Sequence, residues 1–169
     1  HHWVKGYNIV LDALQLIKER QIPFSYSIIA DGNVPEELVF QRHQLDLEKE
    51  VIFINAMSQE KVFEKMQESD LLVLSSLAEG IANVVLEAMA IGLPVITSNC
   101  GGMTEIVKHN ETGWVVPVLN EQVLADFLLE VYNSSLEKRQ EIVKNAFNLV
   151  KQEFNEANEL AISLEKYLK

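Results

Sequence analysis

Residues 74–99 read LSSLAEGIANVVLEAMAIGLPVITSN, and this stretch decides the fold. An apolar run ends at Ser75, a glycine follows at Gly80, and a helical pattern continues to Gly92. A turn at residues 93–94 leads into another apolar run. Between the two runs, apolar side chains recur with helical spacing on one face: Ile81, Val84, Val85, Ala88 and Met89. The stretch therefore predicts a buried strand, a glycine turn, an amphipathic helix and a second strand.

The same alternation extends in both directions along the chain. Five short apolar runs predict buried strands at residues 24–30, 51–54, 71–74, 94–97 and 113–116. Helical patterns separate them, at residues 9–17, from Glu36 after Pro35, from a capping Ser58, and at residues 121–133 and 136–151. Repeated strand–helix units predict an α/β fold, a Rossmann-like doubly wound parallel sheet, whose ligands bind beyond the carboxyl ends of the strands.

Domain boundaries follow from the same pattern. Residues 1–154 are predicted to form one Rossmann-like domain, and residues 155–169 a separate C-terminal helix. The first helical pattern begins at Lys5 without a strand before it, so we expect the first strand of this domain to lie upstream.

Composition excludes several classes of function. The net charge of −11 argues against general binding to nucleic acid or to an anionic membrane. No apolar run approaches the roughly 18 residues of a membrane span, so we expect no membrane contact from this part. The single cysteine, Cys100, excludes an internal disulfide and fits a reducing compartment. We therefore expect a cytoplasmic location.

The glycine turn and the helix after it form a candidate anion site. The amides of Gly80, Ile81, Ala82 and Asn83 are predicted to be the free donors of a helix N-terminus, where the helix dipole adds positive potential. Glu87 shares a helix face with Asn83, and its carboxylate could accept two hydrogen bonds from a vicinal diol such as that of a ribose. Glu79, in the loop, could bind the hydroxyls of a second sugar. Each carboxylate could also be an ordinary solvated residue.

Glu79 and Glu87, with seven residues between them in the frame S-S-x-x-E-G-x-x-N-V-V-L-E-A-M-A-x-G-x-P-V, resemble the signature of retaining glycosyltransferases of family 4. Further matches follow the family's order, at Lys5-Gly6, Asp31-Gly32, Gly101 to Glu105, and Gly113 with Val116-Pro117. The resemblance runs from Trp3 to about Val118. These enzymes have the GT-B fold, in which two Rossmann-like domains face a cleft.

The resemblance implies that this chain is the C-terminal, donor-binding half of such an enzyme. A nucleoside diphosphate sugar would be its ligand, and the acceptor would bind a missing N-terminal domain. Lys5 and the amides of Gly80 to Asn83 would hold the diphosphate, Glu87 the ribose, and Glu79 the transferred sugar. Glu79 and Lys5 would be the catalytic residues.

The remaining donor contacts are implied at three further positions. Gly32, Asn55 and Ala56 would complete the site, with residues 54–57 against the base. Asn55 stands where the family has a glycine, which puts the base contact in question. The sequence contains no Asp-x-Asp motif, so neither a metal nor another cofactor is predicted.

The implied reaction transfers a hexose-type sugar to an acceptor hydroxyl with retention, typically in cell-surface polysaccharide or glycoconjugate synthesis. This chain alone would be inactive. Three alternatives remain: a nucleotide-binding module without catalysis, a flavodoxin-like domain with a different ligand, and the domain of a GT-B epimerase or phosphorylase.

Overall fold

The computed structural model describes residues 2–30 and 32–153 and confirms the alternation of strands and helices. Asp31 and the helix predicted at residues 155–169 lie outside the described residues. After a 3-10 helix at His2–Lys5, the α-helices are α1 Tyr7–Glu19, α2 Glu36–Gln44, α3 Gln59–Gln67, α4 Asn83–Ala90, α5 Met103–Ile106, α6 Glu121–Asn133 and α7 Leu136–Glu153. The strands are β1 Tyr26–Ala30, β2 Val51–Asn55, β3 Leu72–Leu74, β4 Val95–Ser98 and β5 Trp114–Val116.

All paired strands are parallel, as predicted, and their hydrogen bonds form two sheets. The first holds β1 and β2, and the second has the order β3-β4-β5. Ala30 pairs with Asn55, and Leu74 pairs with Thr97, so the carboxyl ends of neighbouring strands lie side by side. The division into two sheets was not predicted, because alternation along a sequence identifies strands but not their partners.

Strand β4 shows how helices cover both faces of the second sheet. Val95 is 1% exposed and belongs to a core cluster with residues of α3, α4 and α7. Ile96 is fully buried in a second cluster, with residues of α1, α2 and α6. Successive side chains of a strand point to opposite faces, so the two clusters lie on opposite sides of the sheet. The predicted doubly wound arrangement is confirmed.

Of two local predictions about helix starts, one was right about the position but not the capping bond, and the other was wrong. Ser58 occupies the N-cap position of α3, but its side chain makes no capping hydrogen bond. Helix α4 begins at Asn83 instead of directly after Gly80, because Ala82, the N-cap residue, has an extended backbone with φ −80° and ψ 120°. Gly80 and Ile81 therefore lie in the turn before the helix. None of the helices within the described residues is long and apolar enough to cross a membrane.

Candidate functional site

Lys5 and Glu79, 74 residues apart in the sequence, form an ion pair at the carboxyl end of β3. Lys5 Nζ donates to Glu79 Oε2 at 2.6 Å. Ser76 Oγ donates to the same carboxylate oxygen at 3.3 Å. Lys5 ends the 3-10 helix, and Glu79 lies in the loop between β3 and α4. The two residues predicted to be catalytic are thus in direct contact.

The backbone beneath Lys5 is fixed by close packing against the end of β3. Gly6, the N-cap residue of α1, has a φ of 66°, and a Cβ there would lie 2.0 Å from the carbonyl oxygen of Ser75. The buried Ser75 Oγ donates to the carbonyl oxygens of Lys5 and Gly6, at 3.1 and 2.8 Å. Only glycine fits at position 6, and this contact explains the Lys5-Gly6 pair.

The loop that carries Glu79 is braced by the loop after β4. Gly101 has a φ of 50°, and a Cβ there would lie 1.6 Å from the carbonyl oxygen of Glu79. A Cβ on Gly102 would lie 3.0 Å from Ile81 Cγ1. The Gly101-Gly102 pair therefore lets the two loops pack closely, with a backbone contact between Gly101 and Glu79.

A run of unpaired amides follows Glu79. Within residues 2–30 and 32–153, no acceptor takes a hydrogen bond from the amides of Gly80, Ile81, Ala82, Asn83 or Val84. The first α4 amide with a partner is that of Val85, which donates to Ala82 O at 2.9 Å. Unpaired amides at a helix start, together with the helix dipole, favour an anion. The candidate anion site thus has its predicted donors, although only Asn83 among the four predicted residues belongs to the helix.

Glu87 lies about one turn after the start of α4, and its side chain is partly exposed. Gln59 Nε2, at the start of α3, donates to Glu87 Oε1 at 3.2 Å. Burial raises the pKa of Glu87 above its ordinary value of 4.5, and the hydrogen bond from Gln59 partly opposes this rise. The carboxylate faces a neutral amide, in contrast to Glu79, which faces a cation. Glu87 therefore retains the capacity to accept hydrogen bonds from a diol.

The three remaining residues predicted to contact the donor, Gly32, Asn55 and Ala56, are all exposed. Asn55 ends β2 with an exposed side chain, and Ala56 follows it, also exposed. Both lie a few residues before Gln59, which reaches Glu87. Gly32 is exposed with a φ of 81°, and a Cβ there would meet no atom within 4 Å. Contacts of these three residues with a ligand remain predictions.

A cavity of about 780 Å³ opens beside the N-terminus of α1. Trp3, Tyr7, Pro35 and Leu77 are among its lining residues. Burial raises the pKa of the Tyr7 hydroxyl, and the charges of Lys5 and Glu79 act on it in opposite directions. Neither Lys5 nor Glu79 is among the lining residues, but sequence neighbours of both, Trp3, Tyr7 and Leu77, are.

Three residues that help to form the site were not assigned a role from the sequence. Ser76 and Gly101 stand inside matched segments of the family pattern, which marks their positions but not these contacts. No sequence pattern marked Gln59, because its contact is with Glu87, 28 residues away on another helix. No three His, Cys, Asp or Glu side chains converge within the described part of the chain in a way that could hold a metal ion.

Comparison with known proteins places the chain among glycosyltransferases. A family model described as "Glycosyl transferases group 1" matches residues 2–149. The amylovoran biosynthesis glycosyltransferase AmsK of Erwinia amylovora is 34% identical over 133 residues, which are 75% of this chain and 33% of that protein. The chain thus spans about a third of the length of this relative.

Solved structures show the same likeness in three dimensions. The C-terminal domain of the glycosyl transferase group 1 family protein LpcC from Francisella tularensis superposes with a TM-score of 0.78 at 26% identity, covering 89% of this chain and 80% of that one. Anabaena Alr3699/HepE, crystallised with UDP-glucose, gives a TM-score of 0.80 at 26% identity. Here the match covers 97% of this chain and 46% of that one.

Proposed function

The chain belongs to the glycosyl transferases group 1 family and forms one Rossmann-like half of a GT-B fold, and from this premise we propose that it binds the nucleoside diphosphate sugar donor of a glycosyltransferase. The enzyme transfers a hexose-type sugar to an acceptor hydroxyl with retention, in the synthesis of a cell-surface polysaccharide or glycoconjugate. The acceptor binds a second domain. This chain alone transfers no sugar.

The observation that carries the proposal is the arrangement around the β3–α4 loop. The ammonium of Lys5 contacts Glu79 there. The run of unpaired amides begins at Gly80, the next residue in the sequence. Together they form a positive surface for a diphosphate. Glu87 follows on α4, and we expect its carboxylate to accept hydrogen bonds from the hydroxyls of an adjoining ribose.

The chemistry that this surface supports is stabilisation of a leaving group. As the bond between the sugar and the diphosphate breaks, negative charge grows on the diphosphate oxygens. We expect Lys5 and the amides of Gly80 to Asn83 to stabilise that charge, and the backbone amides need little reorganisation to do so. Glu79 lies beside Lys5, where its carboxylate can orient the hydroxyls of the transferred sugar.

A metal is not needed for this scheme, because the lysine and the amides supply the positive potential. We therefore expect transfer to proceed at an unchanged rate with excess EDTA. A loss of turnover that added Mg²⁺ or Mn²⁺ restores would contradict this part of the proposal.

A relative in complex with UDP-glucose favours a uridine donor as the first to test. The experiment is a thermal-shift and calorimetric screen of UDP, GDP and ADP sugars against the protein that carries this sequence. We expect one base to bind, and Glu87→Ala to weaken it. Failure of every nucleotide to bind would refute the proposal and favour the flavodoxin-like alternative, whereas binding without transfer by the two-domain enzyme would favour a nucleotide-binding module.

A further inference from the structure

The carboxylate of Glu79 has two hydrogen-bond donors of different character. Both donate to Oε2: Lys5 Nζ at 2.6 Å and Ser76 Oγ at 3.3 Å. Ser76 is fully buried, whereas the Lys5 side chain is 43% exposed. One donor is therefore fixed in the core, and the other is a long side chain that reaches solvent.

The ion pair conflicts with the role proposed for Lys5. A diphosphate needs the lysine charge, yet in the ligand-free protein that charge is already neutralised by Glu79. Whatever binds Lys5 must therefore compete with the carboxylate. Because a hydrogen bond between two charged groups is stronger than one between neutral groups, the competition has a measurable cost in affinity.

We propose that Lys5 and Glu79 form an exchangeable pair, with Ser76 as the positioning residue for Glu79. Glu79 holds Lys5 when the site is empty, and the diphosphate of the donor takes over the lysine on binding. Ser76 then keeps the Glu79 carboxylate in place to receive a sugar hydroxyl. After transfer, Glu79 competes again for Lys5 and so promotes release of the nucleoside diphosphate. This inference rests on the proposed function.

The backbones of Lys5, Ser76 and Glu79 are held by neighbouring residues, whereas the Lys5 side chain is partly exposed and can move. The backbone of Lys5 is held by the hydroxyl of Ser75. The backbone of Glu79 is held against Gly101, and the carbonyl of Ser76 accepts a hydrogen bond from Ser98 Oγ. Exchange thus requires only rotations within a flexible four-carbon side chain.

The exchange also distinguishes donor from product. With a nucleotide sugar, Glu79 loses Lys5 but gains a sugar hydroxyl as a replacement donor. With a bare nucleoside diphosphate it gains nothing. Removing the charge of Glu79 should therefore strengthen product binding and leave donor binding equal or weaker, a pattern that a purely structural role for Glu79 does not produce.

The first experiment measures the affinity of UDP, GDP, ADP and inorganic pyrophosphate for the parent protein and for Glu79→Gln by calorimetry. Pyrophosphate serves as a probe that is independent of the base. We expect Glu79→Gln to bind pyrophosphate and the matching nucleoside diphosphate about tenfold more tightly, the scale of one charged hydrogen bond. In a Lys5→Met background the same substitution should change neither affinity, because the competition no longer exists.

Equal or weaker binding of both probes by Glu79→Gln would overturn the exchange, and so would an equal gain in the Lys5→Met background. These outcomes differ from failure of the proposed function, in which no nucleotide binds the parent protein at all.

The second experiment tests Ser76 through Ser76→Ala in the full-length enzyme. We expect kcat to fall about tenfold, while the affinity for nucleoside diphosphate stays within about twofold, because Ser76 matters most once Lys5 has left. Thr112→Val, which removes a buried hydroxyl that donates to the carbonyl oxygen of Ile106, should lower thermal stability without this fall in kcat. If both variants lose kcat equally, or if Ser76→Ala retains the parent kcat, the positioning role is refuted.

Discussion

Glu79 and Glu87 stand in one motif, yet the structure gives them opposite surroundings. Glu79 lies in a loop braced by the backbone of Gly101, and its partner is the cation of Lys5. Glu87 lies on a regular helix, and its partner is the neutral amide of Gln59. The comparison teaches that equal side chains in one motif can have different partners. In the exchange proposed above, the first carboxylate changes its partner, whereas we expect the second to remain an acceptor throughout.

The largest effect is expected when Lys5, the cation that pairs with Glu79, is replaced. In Lys5→Met we expect kcat to fall about 10²–10³-fold, the loss typical when a donor that stabilises developing charge is removed. The measurement is steady-state transfer by the full-length enzyme with the donor found in the nucleotide screen. Lys65→Met is the matched control. Lys65 lies in the last turn of α3 and also forms an ion pair, with Glu68 at 3.2 Å. A Lys5→Met enzyme as active as that control would contradict the role of Lys5.

The next test asks whether the two glutamates respond differently to the same ligand. Glu87→Ala should weaken binding of the matching nucleoside diphosphate by about 1–3 kcal/mol, because a charged acceptor for the ribose is lost. Glu79→Gln should change the same affinity in the opposite direction. Calorimetry on both variants makes the comparison, with Glu141→Ala, an exposed change on α7, as the control. Equal losses at positions 79 and 87 would remove the distinction between them.

A smaller effect is expected from the partner of Glu87. Gln59→Leu removes one hydrogen bond from that carboxylate, so nucleotide affinity should fall by about 0.5–1.5 kcal/mol. The pKa of Glu87 should also rise further, since the Gln59 hydrogen bond lowers it. Carboxyl NMR titration and calorimetry measure the two effects, and Gln67→Leu on the same helix is the control. An unchanged Glu87 pKa in Gln59→Leu would show that the contact has no influence on the carboxylate.

The smallest effect concerns pH. Because burial raises the folded-state pKa of Glu87 above 4.5, its carboxylate takes up a proton at a higher pH than an unfolded glutamate does. Keeping it charged therefore costs stability above that folded pKa, and the cost is relieved as pH falls through it. Stability relative to Glu87→Gln should thus rise on acidification in the interval just above 4.5, while nucleotide affinity falls. Parallel pH profiles of parent and Glu87→Gln in urea unfolding would refute this expectation.

Much of the fold was predictable because buried parallel strands and amphipathic helices leave strong local patterns. The strand predicted at residues 94–97 is β4, shifted by one residue, and the stripe of α1 contains four of the buried residues, Val10, Ala13, Leu14 and Ile17. The start of α4 was missed because it depends on the extended backbone of Ala82. Family membership and the GT-B fold are confirmed, whereas family 4, the retaining mechanism and the residue roles remain predictions.

The site was predictable only as far as its members share one stretch of sequence. The motif indicated Glu79, Glu87 and the amides between them. That Lys5 touches Glu79 was not predicted, since the contact spans 74 residues and depends on how α1 meets the end of β3. Ser76 and Gln59 likewise acquire their partners only through tertiary packing.

The contact between Gly101 and the Glu79 carbonyl has a consequence for protein engineering. A randomised library at position 101 should return glycine alone among active clones, even though the residue is exposed and lies in a loop where substitutions are usually harmless. Position 32, equally a glycine with positive φ but with open space around it, should accept asparagine. Both glycines are exposed, yet only position 32 should tolerate a side chain, so solvent exposure does not predict mutational tolerance here.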